Sequence, residues 1–143
     1  MDARLIAPSY NPKDFWLNTQ LEFKGNKAGL GESLYVEKTW GFEEIHINTL
    51  AYCCKTLHIE DNKATSKHFH LDKHETMIVI NGILIIDIFN KDFTIKSFVV
   101  DKNRTFIIPP GLVHSLRCPM GIPYVELIEC STYSRDEDSI RII

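Results

Sequence analysis

No stretch of this 143-residue chain approaches the ~18–20 uninterrupted apolar residues that a membrane span requires. Apolar runs stop at strand length, as at residues 83–86, so no membrane contact is expected. Basic residues are neither abundant nor clustered. Sixteen Lys plus Arg stand against nineteen Asp plus Glu, a net charge of -3, which removes the concentrated basic face a nucleic-acid binder needs. The N-terminal residues Met1-Asp2-Ala3-Arg4-Leu5-Ile6-Ala7-Pro8 lack the basic segment and apolar stretch of a secretory signal, and a cytoplasmic location is expected. The four cysteines, Cys53, Cys54, Cys118 and Cys130, form no Cys-x-x-Cys pair and read as reduced, half-buried thiols rather than a disulfide framework. Internal repeats, low-complexity stretches and like-charge blocks are absent as well.

What is present is the composition of one globular domain, 44% hydrophobic and 24% charged, enough to bury a core. The texture changes once, near residue 40. Residues 1–40 carry Pro8, Pro12, Gly25, Gly29 and Gly31 among isolated apolar residues, and read as an irregular arm whose compact cluster is Phe15, Trp16 and Leu17. Within it, only residues 10–24 have room for a helix. Residues 41–143 read as the domain proper. Short stretches rich in Ile, Val, Phe and Thr recur there between turn signals such as Glu60-Asp61-Asn62, Asn90-Lys91-Asp92 and Asp101-Lys102-Asn103. Asn81-Gly82 predicts a tight hairpin joining the strands on either side. Many short strands without helical periodicity predict an all-β sandwich or barrel.

All six histidines fall between His46 and His114. Strand alternation projects His68 and His70 from one face. A strand beginning near Glu75 can return a carboxylate to the same pocket, and His114 supplies a third imidazole. Three nitrogens and one oxygen suit one divalent ion of Zn, Fe, Mn, Ni or Co, with positions left for water or substrate. Of the rest, His58 is a candidate proton carrier on the preceding strand, while His74 and His46 are expected at the surface.

The spacing His68-x-His70, four residues, Glu75, six residues, Gly82 resembles the first cupin motif, with Asn62 in place of its leading Gly. Pro109-Pro110-Gly111-Leu112-Val113-His114 resembles the centre of the second, with Asn103 for its leading Gly and Cys118 for its final Asn. Asn is the next best residue after Gly in a left-handed turn. The resemblance implies a jelly-roll barrel, a double-stranded β-helix of two facing sheets, and metal ligation by His68, His70, Glu75 and His114.

A narrower resemblance covers residues 36–143. Thr39-Trp40-Gly41-Phe42-Glu43-Glu44, Tyr52-Cys53-Cys54-Lys55, Ser66-Lys67-His68-Phe69-His70 and Ile128-Glu129-Cys130-Ser131-Thr132 are similar to segments of small cupins of the mannose-6-phosphate isomerase-like group, with Asp138 and Arg141 matching their acidic and basic ends. It implies a sugar or sugar-phosphate isomerase or epimerase. Lys55 is then the candidate cation for an anionic substrate group, with Arg104 and Arg117 as alternatives, and Ser66 a candidate hydrogen-bonding partner for a substrate hydroxyl. The proton-moving candidates are Glu129 and His58; Glu126 falls on the opposite face of its strand from Glu129. Two other readings share the ligand set: an Fe(II) dioxygenase, and a carbohydrate- or effector-binding module without chemistry. Exposed sheet edges and the apolar arm lead to the expectation of a homodimer.

Overall fold

The computed structural model of the chain describes residues 28–142. Phe15, Trp16 and Leu17, and any helix within residues 10–24, lie outside the described residues.

Eleven strands follow in chain order: β1 (Leu34–Lys38), β2 (Gly41–Asn48), β3 (Cys53–Glu60), β4 (His68–His70), β5 (Glu75–Asn81), β6 (Leu84–Phe89), β7 (Ile95–Val100), β8 (Thr105–Ile108), β9 (His114–Arg117), β10 (Tyr124–Ser131) and β11 (Ser139–Arg141). One 3-10 turn, Asp136–Asp138, precedes β11. The strands form two antiparallel sheets, ordered β1-β2-β3-β10-β5-β8 and β11-β4-β9-β6-β7. No helix among the described residues is long and apolar enough to cross a membrane.

Alternation sets what each strand sends inward. On β10, Val125, Leu127 and Glu129 are buried while Tyr124, Glu126 and Ile128 are only half-buried. The same rule on β3, β5 and β6 assembles a core of Leu57, Ile59, Met77, Val79, Leu84, Ile86, Val125 and Leu127 between the sheets.

Two expectations change. Residues 34–38, placed in the irregular arm, form the edge strand β1, paired with β2 in register from Leu34 with Ile45 to Lys38 with Gly41. The boundary expected at residue 40 therefore falls inside a hairpin. Gly41, with φ of 145°, lets the start of β2 lie close against β3, because a Cβ there would overlap the carbonyl oxygen of His58. Second, Asn81-Gly82 does not close a hairpin. β5 pairs with β10 and β8, whereas β6 pairs with β7 and β9. The chain steps here from one sheet to the other. A type I′ turn needs left-handed backbone at both central residues, and here only Gly82 has it, with φ of 85°. What Gly82 serves is close approach: a Cβ would sit 2.5 Å from the carbonyl oxygen of Tyr124. The two Asn substitutions in the motifs behave as expected, Asn62 and Asn103 taking φ of 58° and 69°.

Candidate metal centre

β4 and β9 are neighbours in the smaller sheet, with His68 directly opposite His114. β4 presents His70 on the same side as His68, and a ring nitrogen from each of the three histidines lies within 4.8 Å of the others. β5 approaches from the facing sheet and brings Glu75, whose Oε1 is 3.5 Å from His70 Nε2 and whose Oε2 is 3.4 Å from His114 Nε2. The four residues that spacing selected therefore converge inside the barrel. His68 keeps some exposure toward a cavity of about 790 Å³.

Hydrogen bonding on the far side of the rings sets which nitrogens face the centre. His68 Nδ1 donates to the Ser66 carbonyl at 2.7 Å, and His114 Nδ1 to the Leu112 carbonyl at 2.8 Å. A carbonyl only accepts, so both Nδ1 atoms carry protons and both Nε2 atoms are bare lone pairs. His114 Nε2 and Glu75 Oε2 are consequently two buried acceptors facing each other, and neither has a hydrogen-bond partner. Only a proton or a cation between such atoms relieves the cost of their burial. Burial pushes the Glu75 carboxyl up to about 8, with the negative charge of Glu129 adding to the effect. Burial likewise pushes His70 down to about 3 and His114 down to about 4, so their rings are neutral, the ligating form, at neutral pH. The donor set thus fits a divalent ion.

A second group of charges forms the adjoining wall. Lys73, 4% exposed, stands 2.9 Å from Glu75 Oε1 and donates to Glu129 Oε2 at 3.2 Å. Burial alone would raise the Glu129 carboxyl, but Lys73 and Lys55 outweigh it and hold it down to about 2. Burial would also strip the Lys73 proton; Glu129 and Glu75 reverse that and keep the ammonium charged. Lys55, cross-strand partner of Glu129, points inward, 3.3 Å from the Ser134 hydroxyl and 3.9 Å from Glu43. Ser66 lies at the cavity wall, where its carbonyl is already committed to His68.

Not every candidate reaches the site. His58 does not: alternation on β3 sends Lys55, Leu57 and Ile59 inward and His58 to the outer face, where its ring stacks between Phe42 at 4.7 Å and Tyr124 at 4.5 Å. It cannot carry protons in the cavity. Arg104 is at the surface with Asp101, and Arg117 is bound by Asp87, so neither is a free cation of the cavity. Glu126 faces out opposite His58, as alternation requires. His74 is exposed, and His46 hydrogen-bonds Ser33 and Thr56 away from the site.

Two functional-site residues were not among the candidates. Lys73 precedes Glu75 by two positions, so carrying the β5 alternation backward would have placed it on the same face. Asp138 is 1% exposed, with Oδ2 3.3 Å from His70 Nδ1. The family resemblance marks Asp138 only as the acidic end of the terminal segment, and nothing in the chemistry of the run Asp136-Glu137-Asp138 says that this member is buried.

Comparison with known proteins places this geometry. The chain is 33% identical over 144 residues to a mannose-1-phosphate guanylyltransferase of Salmonella muenchen, covering 99% of this chain and 29% of that protein. It is 29% identical over 68 residues to germin-like protein subfamily T member 3 of Arabidopsis thaliana, covering 48% of this chain and 30% of that one. The chain thus spans under a third of the length of these relatives. Among solved structures, the capsular polysaccharide assembling protein CapF of Staphylococcus aureus superposes with a TM-score of 0.69 at 18% identity, over 78% of this chain and 34% of CapF. KdgF of Halomonas sp. superposes with a TM-score of 0.61 at 12% identity, over 75% of this chain and 90% of KdgF. Oxalate decarboxylase OxdC of Bacillus subtilis, at 11% identity, gives 0.65 over 78% of this chain and 30% of OxdC. These structures share the cupin fold. Residues 27–143 match the family model described as mannose-6-phosphate isomerase C-terminal, and the chain belongs to that family of cupins.

Proposed function

We propose that the chain binds an open-chain sugar or sugar phosphate beside one divalent ion held by His68, His70, Glu75 and His114, and shifts its carbonyl or inverts a neighbouring stereocentre. The observation that carries this reading is the pair of buried, facing acceptors, His114 Nε2 and Glu75 Oε2, opening on a cavity of about 790 Å³, within the usual range for a small-molecule site. Similarity to a mannose-1-phosphate guanylyltransferase and membership of the mannose-6-phosphate isomerase C-terminal family support the same substrate class.

A bound divalent ion supplies Lewis-acid polarisation of a carbonyl oxygen. The chain's own residues supply the rest. Lys55 holds a positive charge on the cavity wall beside the Ser134 hydroxyl, where a substrate phosphate docks. Glu129, kept ionised by Lys73, faces the cavity and takes the carbon-bound proton at a carboxylate oxygen, while Lys73 stays charged and limits the build-up of negative charge between Glu75 and Glu129. With His58 on the outer face, Glu129 is the remaining proton acceptor of the original pair. We also propose that the molecule is a homodimer, supported by apolar exposure on the larger sheet and its edge, where Ile107 is 72% and Tyr35 58% exposed. A sedimentation mass near 16.5 kDa would contradict the dimer.

One observation favours a second reading, a carbohydrate-binding cupin without turnover. The Glu129 carboxylate is tied up by the Lys73 ammonium at 3.2 Å, which holds it below the usual carboxylate range and makes it a weak base. Solvent-deuterium exchange into a panel of aldoses, ketoses and their phosphates separates the two. The isomerase reading expects exchange of a carbon-bound proton in at least one sugar, reduced ~10²–10⁴-fold by Glu129→Gln with metal content unchanged. Lys55→Ala is expected to raise KM for phosphorylated substrates and leave neutral sugars unaffected. Saturable sugar binding with no exchange in any member of the panel would leave the binding module standing.

A further inference from the structure

Each of the three histidines has its Nδ1 turned away from the centre, but they are not held in the same way. His68 and His114 donate to carbonyls only two residues away in their own segments. These anchors are local and come with the strand. The Nδ1 of His70 is buried without a hydrogen-bond partner, and the group facing it at 3.3 Å is the Asp138 carboxylate, from the far end of the chain.

That carboxylate is itself tightly placed. Its Oδ1 accepts the Asp72 N–H at 2.7 Å and its Oδ2 the Lys73 N–H at 3.2 Å. The Asp138 carbonyl accepts the Leu71 N–H at 3.0 Å. Beyond it, β11 pairs with β4 so that Ser139 lies opposite His70 and Arg141 opposite His68, and the Ile142 N–H closes on the Lys67 carbonyl at 2.9 Å. The C-terminal segment is thus an edge strand on the very strand that carries two histidines, and it delivers a buried carboxylate to the back of one of them. β4 is only three residues long and has a single register pair with β9. Most of its backbone pairing comes from β11.

We infer that Asp138 is a positioning residue for His70, and that docking of the segment 136–142 and binding of a divalent cation are one coupled equilibrium. The inference rests on the proposed histidine ligands. An imidazole whose Nδ1–H meets a carboxylate is fixed in one tautomer and orientation, and its Nε2 is a stronger donor to a cation. Because Asp138 retains lone pairs beyond the two main-chain N–H groups it accepts, it can take the third hydrogen bond as the ring settles on the ion. Any group that binds only when the segment is docked stabilises the docked state, and the reverse holds equally.

The test uses the full chain and Zn²⁺ alone as the probe. In the wild type, Zn²⁺ should slow hydrogen exchange at the main-chain amides of Leu71 and Ile142, which mark the two ends of the docked segment, while amides of the distant β6–β7 hairpin are unchanged. Asp138→Asn keeps an oxygen for the loop but removes the carboxylate from the ring, and should weaken Zn²⁺ ~10–100-fold with Asp138→Glu restoring part of the affinity. A purely structural tether predicts equal loss of stability in the metal-free and Zn²⁺-loaded variant; the positioning role predicts a larger loss in the loaded one. Zn²⁺ affinity of Asp138→Asn within twofold of wild type, or exchange at Leu71 and Ile142 indifferent to Zn²⁺, overturns the inference while leaving the ligand assignment intact. Should wild type itself fail to bind Zn²⁺ or any other first-row divalent ion, the ligand assignment falls and this inference with it. The wild-type exchange experiment decides even where a variant does not fold.

Discussion

The same strands build the two halves of the barrel interior, and they do so in opposite chemistry. Going along β3, the inward positions run Lys55, Leu57, Ile59; along β5 they run Glu75, Met77, Val79; along β10, Glu129, Leu127, Val125. At one end the sheets enclose apolar side chains that are almost fully buried, and at the other they enclose the carboxylates of Glu43, Glu75 and Glu129, the lysines Lys55 and Lys73, and three imidazoles. Backbone and alternation are common to both, so the difference is one of side chains alone. The apolar half holds itself together by removing hydrocarbon from water. The ionic half cannot: each of its charges loses hydration, and the group is tolerable only because Lys73 lies between Glu75 and Glu129.

The largest effect should come from breaking the ionic half at its centre. Lys73→Met leaves two buried carboxylates without their shared counter-ion and is expected to cost about 3–5 kcal/mol in urea unfolding. Replacing the triad together, as Lys73→Met with Glu75→Leu and Glu129→Leu, should recover wild-type stability or exceed it while abolishing metal binding, because apolar groups of similar volume replace charges that were expensive to bury. A triple variant less stable than the single one would show that the ionic half stabilises the fold. In the apolar half, Leu127→Ala is expected to cost about 2–5 kcal/mol, by lost transfer free energy and the cavity left behind, and to leave metal stoichiometry unchanged.

The two halves were also unequally legible in the sequence. Period-two alternation bounded by turn residues makes the strands legible and puts Glu126 and Glu129 on opposite faces, because alternation is a property of the backbone; that Glu129 is the inward one is what the family resemblance implies. His68, His70, Glu75 and His114, the proposed ligand set, are legible in their spacing and in its resemblance to the cupin motifs. Lys73 is harder to read because it lies in the loop before β5, outside the strand whose alternation gives its face. His58 was misplaced by its chemistry, although the alternation that puts Lys55 inside puts His58 outside. Asp138 could not have been found locally, since its burial depends on β11 docking against β4, a contact between distant parts of the chain. Asn81-Gly82 misled for a related reason: the dipeptide permits a tight turn, and only the pairing of β5 with β10 and β6 with β9 decides whether the chain turns back or crosses over.

The smallest expected effect is the one that reports directly on the facing acceptors. The Glu75 carboxyl is raised from its ordinary 4.5 to about 8 by burial, followed by the charge of Glu129. Its contribution to metal-free stability is therefore complete below 4.5 and is lost as pH rises toward 8. His70 and His114 act in the opposite direction, since burial lowers them from 6.5 to about 3 and about 4, and their cost appears as pH falls below 6.5. Glu129, lowered to about 2 by Lys73 and Lys55 against its burial, adds stability present above 4.5 and lost as pH falls through 2. His68 is lowered by burial as well, and all three unfolded histidines are nearly neutral above pH 7.5; between pH 7.5 and 8.5 the Glu75 contribution is the largest of these that changes, so the metal-free protein should lose stability with rising pH, by at most about 1.4 kcal/mol per unit. Saturating Zn²⁺ displaces the proton, so the loaded protein should show no such slope, and Zn²⁺ affinity should rise with pH up to about 8 and then level. Leu127→Ala should lower both curves without changing either slope, because the apolar half carries no proton equilibrium. Urea unfolding at pH 7.5, 8 and 8.5, with and without Zn²⁺, measures all of this. A metal-free stability that is flat across that window would place the Glu75 proton elsewhere and remove the facing-acceptor argument for a cation.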